Sequence, residues 1–490
     1  MATRFGSGAQ LALIALLATT GCVTIPKLGS APKAAPSLEA TQTLAAAAGQ
    51  SDNAAPAAWP EDAWWHRYGD PQLDALENEA IAGSPTFASA LARIRRADAV
   101  AEQSGSALVP EAAADGSLAE AKQSYNNGIP KLFVPKGFHN NSRVALSLNW
   151  DADLWGRNRD LLAAATSEAK ATEADAAQAR LALTTSIAST YAELARLFTD
   201  RDAAIDAAKV RRGTFELLQA RRAQGLETEG TVNQQLATSR SAQSDVVAID
   251  ENIASTRARL AALLGAGPDR GLAITRPTMA LGAAQALPAD AGLDLIARRP
   301  DVAARLWRLE AAARRVHAAR KDFYPNVTLS GLGGLQSLDI KDLTVGGSEI
   351  ASLGLAVHLP IFTAGRLQGT YRAQRADYDA AVADYDGTLV SAFQDLATTL
   401  ATHRTLIART AQIEGALQAS ERAYDVAKAR YDQQLASYLT VLSAEDQVIA
   451  TRRALNALNA RSLTVDIDLI RVLGGGYHPG DMPKPGTTSP

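Results

Sequence analysis

The chain has 490 residues, a formal net charge of −3 and a single cysteine, Cys22. Charges of both signs are mixed along it, so nothing points to a nucleic-acid partner, and a lone cysteine excludes an internal disulfide. Aromatic side chains make up only 5% while alanine is abundant, so each helix has little area to bury alone and close neighbours must supply the rest.

Arg4 precedes an apolar run from Leu11 to Ala18, and small residues then lead to Gly21-Cys22. This pattern predicts a secretory signal over residues 1–21, too short to span a membrane as a helix. The position of Cys22 predicts a bacterial lipoprotein site at which the thiol carries the lipid anchor; the alternative is cleavage nearby with Cys22 incidental. Thr19 stands where such sites usually carry Leu, and Val23, in place of an Asp that would retain the protein at the inner membrane, favours the outer one. Residues 22–58, rich in Ala, Pro and Ser from Pro26 onward, read as an extended, poorly ordered tether.

A first repeat is expected over 59–267. Trp64-Trp65 and Asp70-Pro71 lead into a helix from Gln72 to Ala82, and Ser84-Pro85 starts a second that stops before Pro110. The period then changes. Val144, Leu146, Leu148, Trp150, Ala152 and Leu154 alternate with Arg143, Ser147, Asn149, Asp151 and Asp153, which predicts a strand with one apolar and one polar face, in a hairpin over about 110–155. From Gly156-Arg157 no proline occurs until Pro268, which predicts a very long helix over 157–222, a tip at Gly225 to Gly230, and a return helix over 231–264. Gly225 suits the left-handed geometry of a helix end.

The second repeat, 268–476, restates the first. Arg299-Pro300-Asp301 starts a helix over about 300–322. A hairpin follows over about 325–362, where Leu353, Leu355, Val357, Leu359 and Ile361 alternate with Ser352, Gly354, Ala356 and His358. A long helix over 366–431 carries an apolar stripe through Leu389, Phe393, Leu396, Leu400, Ile407, Leu417 and Tyr424. It would reach roughly 100 Å. A tip at Asp432 to Ser437 and a return helix over 438–473 complete the repeat, and residues 477–490 read as a disordered tail. The two halves align at one constant shift, Ile187 on Leu396, Tyr191 on Leu400, Phe215 on Tyr424 and Val232 on Val441. Upstream, Pro110 falls on Pro325 at a shift six residues larger, so an insertion lies between Pro110 and Gly156.

Four strands cannot close a membrane barrel, because the smallest has eight. An open edge facing lipid would leave unpaired backbone groups at several kcal/mol each. The hairpins must therefore close with other copies, and three chains would supply twelve strands. The alternative is a soluble four-stranded sheet with one face on a helical core, but strands feeding directly into such long helices leave no compact layer to cover.

The chain resembles the TolC-like outer-membrane efflux proteins, specifically their lipoprotein branch, over nearly its whole mature length. The matching residues are Trp64-Trp65 with Asp70-Pro71, Trp150-Asp151-Ala152-Asp153-Leu154-Trp155-Gly156-Arg157 and Arg298-Arg299-Pro300-Asp301-Val302. Phe323-Tyr324-Pro325, Leu359-Pro360-Ile361-Phe362 with Gly365-Arg366, Ser437-Tyr438-Leu439-Thr440-Val441-Leu442 and Leu473-Gly474-Gly475-Gly476 follow in family order. The resemblance implies a mostly α fold with a membrane β-barrel. In that fold the long helices form a periplasmic α-barrel, and four strands per chain complete a twelve-stranded barrel in a homotrimer. It implies a periplasmic adaptor and an inner-membrane transporter of the RND type as partners, the lipid of the outer membrane around the barrel, and a gated periplasmic tip. At that tip Gln434 occupies a position where the family usually has glycine, which predicts a stiffer or differently shaped turn. Thr440 and Ser443 stand where relatives often carry acidic residues facing the tunnel, so a neutral narrowing is expected. Tyr431 corresponds to a family tyrosine near the tip and is expected either to bridge helices by hydrogen bonds or to pack.

No residues converge as catalytic groups, and no cofactor or metal site is expected. His66, His139, His317, His358, His403 and His478 are scattered without ligand spacing, and Gly331-Leu332-Gly333-Gly334 lacks both the Lys-Ser/Thr ending and the following helix of a phosphate loop. Two readings remain: a passive export duct, for a pump or for a protein secretion system, and a structural or adhesive coiled-coil lipoprotein that conducts nothing. The alternating strands favour the duct, since a spacer needs no polar lumen.

Overall fold

The computed structural model describes residues 24–35, 59–126, 128–279, 298–478 and 480. The expected signal at 1–21, Cys22, residues 36–58 of the tether and most of the tail lie outside these residues. A short 3-10 turn at Trp64–Tyr68 precedes α1 (Pro71–Gly83) and α2 (Pro85–Ser106). Strands β1 (Glu111–Ala121) and β2 (His139–Asp151) lead to α3 (Arg157–Ala223), α4 (Glu229–Leu263) and one turn of helix, α5 (Asp269–Leu272). The second half holds α6 (Pro300–Lys321), β3 (Asn326–Ser337), β4 (Glu349–His358), α7 (Arg366–Asp432) and α8 (Tyr438–Val472).

The duplication is metrically close. Helices α3 and α7 each have 67 residues, α4 and α8 each 35, α2 and α6 each 22. The extra residues of the first half lie in the β1–β2 loop, 122–138, which exceeds the β3–β4 loop, 338–348, by the six residues of the expected insertion. At 1.5 Å per residue the long helices reach roughly 100 Å, with the sheet at one end and the α3–α4 and α7–α8 turns at the other.

The local reasons for these boundaries are readable. Asp70 caps α1 by accepting from the amides of Gln72 and Leu73, with Pro71 preset for the first turn. Its other oxygen accepts from the Tyr191 hydroxyl (2.9 Å) and the Thr278 amide (2.7 Å), which ties the start of the body to mid-α3 and to the chain after α5. The largest core cluster forms there. Trp65, Tyr68, Leu73 and Leu76 pack on Ile187, Tyr191 and Leu194 of α3, Leu260 of α4, and Ile467 and Ile470 of α8.

Toward the turns the packing becomes a coiled coil. In α7 Leu389, Leu396, His403, Thr410, Leu417, Tyr424 and Tyr431 recur every seventh residue, as do Ala392, Thr399, Leu406, Ile413, Ser420 and Ala427, and all are buried or half-buried. A seven-residue seam imposes a left-handed supercoil on helices that would otherwise drift out of contact. This corrects the expected stripe at one position. Ile407 is 60% exposed because it falls off the seam, and Leu406, at 4%, takes the inward place.

Two segments expected to be loose are packed. Residues 24–35 form no helix or strand, as a tether would, but Ala34 is buried against Tyr378, Tyr385 and Val302. The Ala35 amide donates to Asp386 (2.9 Å) and the Tyr378 hydroxyl to the Pro32 carbonyl (3.3 Å), because alanines are small enough to let the backbone reach the helix. Tyr477 likewise packs on Ala174, Ala303 and Ala304, so the tail begins only after it.

Candidate functional site

The strands form one antiparallel sheet in the order β1-β2-β3-β4. Registers Leu148 to Gly331, Gly331 to Leu353 and Trp150 to Leu329 bring the apolar sets of both repeats to one face. Arg143, Gln336, Ser147, Asn149, Ser330 and Ser352 lie on the other. The apolar face is uncovered: Leu353 is 79% exposed and Leu355 68%, with Val144, Leu146 and Val357 also exposed. Gly331 leaves ordinary room for a Cβ between Leu148 and Leu353, whereas at Gly334, on the polar face, a Cβ would overlap the Val144 carbonyl oxygen, so glycine is required there. Among the described residues the outer edges of β1 and β4 have no strand partner. The sheet thus has one apolar and one polar face and, among the described residues, two unpaired edges.

Where the sheet meets the helices, two of the motif stretches come together. Trp155 stacks on Tyr324 at 5.1 Å and donates to the Pro325 carbonyl (2.8 Å). Arg157 pairs with Asp322, and Lys321 donates to Asp160 (2.6 Å) and to the Gly156 carbonyl (3.1 Å). Asp153 accepts from the amides of Asn158 (2.9 Å) and Arg159 (3.2 Å). Burial alone would raise its pKa, but these amides and the Arg159 guanidinium hold it below the usual carboxylate range. Gly156 (φ 75°) and Gly365 (φ 86°) make the left-handed step from strand to helix in each repeat.

At the far end the expected tips are trimmed. The return helices start at Glu229 and Tyr438, so Gly230 lies in the first turn of α4, and the turns proper are 224–228 and 433–437. Gly225 has φ 74° and Gln434 φ 62°. The hydrogen bonds are the same at both, Leu226 N to Arg221 O (2.9 Å) and Leu435 N to Arg430 O (2.8 Å). The turn at Gln434 thus keeps the shape of the Gly225 turn in the other half, and its side chain bears the left-handed cost, about 1–2 kcal/mol. Tyr431 bridges helices without hydrogen bonding. Its hydroxyl is buried without a partner, while its ring meets Tyr438 edge-on at 5.3 Å and lies under the Arg221 guanidinium at 5.8 Å. The hydrogen-bonded bridge comes instead from Tyr438, whose hydroxyl donates to Thr214 (2.7 Å).

Thr440 and Ser443 are both exposed on α8, and Gln447 and Ala450 continue that row without a charge. The corresponding row on α4, Thr231, Gln234, Thr238 and Ser241, is also uncharged. The acids beside them turn away: Asp446 pairs with Arg211 of α3, and Glu445 is buried with one oxygen unpartnered. Burial raises the Glu445 pKa, against the pull of Arg211. Sequence reasoning missed the Arg211–Asp446 and Tyr438–Thr214 links, because partners on helices so far apart in the chain leave no local pattern.

The comparisons follow this geometry. The outer membrane efflux protein family model matches residues 76–266 and 293–475. The chain is 29% identical over 431 residues to the multidrug resistance outer membrane protein MdtP of Escherichia coli (strain K12), covering 86% of this chain and 88% of the relative. It is 33% identical over 328 residues to the fusaric acid resistance protein FusA of Burkholderia cepacia, covering 65% and 61%. The crystal structure of the outer membrane protein VceC from Vibrio cholerae matches with a TM-score of 0.81 at 40% identity, over 86% of this chain and all (100%) of that one. The Campylobacter jejuni CmeC outer membrane channel matches in fold, with a TM-score of 0.83 at 23% identity over 93% and 96%.

Proposed function

The chain belongs to the outer membrane efflux protein family, and from that premise we propose that three copies close edge to edge, β4 of each against β1 of the next, around a single passive duct. An outer-membrane efflux channel, and not an enzyme, is what the family makes it. The observation that carries the finer reading is the open sheet with its one apolar and one polar face. A sheet whose apolar face is uncovered and whose two edges are unpaired is stable in a bilayer only when closed, and twelve strands meet the minimum that four do not.

Substrate enters at the helical tip, delivered by an inner-membrane pump of the RND type through a periplasmic adaptor, and leaves through the barrel. The duct supplies no energy. The Cys22 thiol carries an acyl anchor in the outer membrane, and residues 24–35 lead from it along α7, a course that fits Ala34 and Ala35 lying on that helix. The uncharged rows on α4 and α8 face the axis and form a neutral narrowing at the tip. The full chain reconstituted in planar bilayers is expected to conduct, and the double variant Thr440→Ala, Ser443→Ala to change conductance or cation preference measurably. An unchanged double variant would move the narrowing elsewhere; no pore under any condition that relaxes the tip would leave only a spacer.

A further inference from the structure

The two outer loops come from one duplicated hairpin, yet they differ in size and sign. The β3–β4 loop closes its hairpin within 338–348 and carries Asp339, Lys341 and Asp342. The β1–β2 loop takes six residues more and carries Lys122, Lys131 and Lys136, and no carboxylate occurs between Glu120 and Asp151. The shorter loop demonstrates that closing the hairpin needs neither the added length nor the lysines.

The longer loop is built rather than slack. Val134 is buried at 4%, the Gly137 amide donates to the Tyr125 hydroxyl (3.2 Å), and a 3-10 turn at Lys131–Phe133 is closed by Phe133 N to Pro130 O (2.9 Å). That small frame holds Leu132 88% exposed, Phe133 74% and Phe138 66%, with Lys131 exposed just before Leu132 and Lys136 exposed between Phe133 and Phe138 in sequence. Large apolar side chains fixed in the open, with cations interleaved, are the composition of a segment lying at a membrane surface. The strands below continue the apolar surface: Leu118 of β1 and Val144 of β2 are exposed on the apolar face.

We infer that the β1–β2 loop is a lipid-recognition element, with Lys122, Lys131 and Lys136 pairing with anionic headgroup phosphates of the surrounding leaflet while Leu132, Phe133 and Phe138 enter its apolar boundary. The inference rests on the strands forming a membrane wall, and its test separates the two. Full-length protein is inserted in bilayers of phosphatidylcholine with and without phosphatidylglycerol, insertion is scored first, and the lipid retained on extraction is then quantified. Wild type is expected to retain phosphatidylglycerol preferentially. The triple variant Lys122→Gln, Lys131→Gln, Lys136→Gln is expected to insert and conduct normally while losing that preference on the order of tenfold or more, since each lysine near an anionic surface contributes about fivefold. The triple Lys→Arg variant should keep it, and Lys341→Gln in the other loop should not alter it. Equal retention by wild type and the Gln variant overturns the inference. So does displacement of the lipid by inorganic phosphate alone, which would mark a free-anion site, or altered conductance with unaltered retention, which would mark a plug over the mouth. Failure of every variant to insert, with the Arg form included, would instead count against the wall itself.

Discussion

Replacing Gly474 by alanine is expected to destabilise the folded chain by roughly 2–5 kcal/mol, enough to reduce its accumulation at the outer membrane. Residues Gly474, Gly475 and Gly476 follow α8 with φ of 86°, 57° and 87°. A Cβ on Gly474 would overlap the Arg298 carbonyl oxygen, one on Gly475 the Leu181 side chain, and one on Gly476 would lie 2.5 Å from the Glu61 carbonyl. This run knots the end of the body to its beginning: Glu61-Asp62 on one side, the start of α6 on the other, and Arg180 of α3 bound to Asp62 at 2.8 Å beside it. The neighbours at Gly474 and Gly476 are backbone, which cannot swing aside, so the overpacking cost adds to the left-handed one. Gly225→Ala is the control. It has φ 74° but open space around it, so only the left-handed cost of about 1–2 kcal/mol applies. Thermal unfolding of the two variants in detergent should separate them clearly, and equal destabilisation would show that the knot is not the constraint.

Leu353→Arg is expected to cost about 2–4 kcal/mol of insertion free energy, and Ser352→Arg almost nothing, although the two are adjacent in β4. The reason is the period of the strand. Leu353 shares its face with Leu148 and Leu329, where a guanidinium would sit in hydrocarbon, whereas Ser352 shares the face of Arg143 and Gln336, where water already solvates charge. Folding equilibria of the two variants into vesicles measure the first difference. Conductance measures the second, since an added cation on the polar face should shift ion preference away from cations without impairing insertion.

Much of this architecture is legible in the residues. Proline-free stretches bounded by Gly156-Arg157 and Gly365-Arg366 fix the starts of α3 and α7, and the alternation in Val144 to Trp150 and Leu353 to Val357 fixes which strand face is apolar, whereas Ala152, Leu154, Leu359 and Ile361, expected to continue it, lie past the strand ends. The constant shift between the halves carries the duplication, and the break in that shift locates the longer outer loop. The rest depends on contacts distant in sequence. A stripe counted by eye through Leu400 and Ile407 slips off a seam that follows seven residues, and only the partner helix shows that Leu406 is inside. An Ala- and Pro-rich stretch reads as loose until Tyr378 and Asp386 are seen to hold Pro32 and Ala35. At the tip Tyr431 was visible as a residue but its role was not, because a tyrosine that packs and one that hydrogen-bonds have the same local sequence; Tyr438 makes the bond. The uncharged character of Thr440 and Ser443 was legible, while the burial of Glu445 and the capture of Asp446 by Arg211 required the fold.

The mass of the particle extracted from the outer membrane tests the central claim most directly, because a wall open at both edges has no stable existence in lipid by itself. Native mass measurement of the detergent-solubilised full chain is expected to give three copies, and Ser352→Pro, which breaks β4, to leave no such particle in the membrane. A monodisperse single copy that still inserts into bilayers with β1 and β4 unpaired would contradict it.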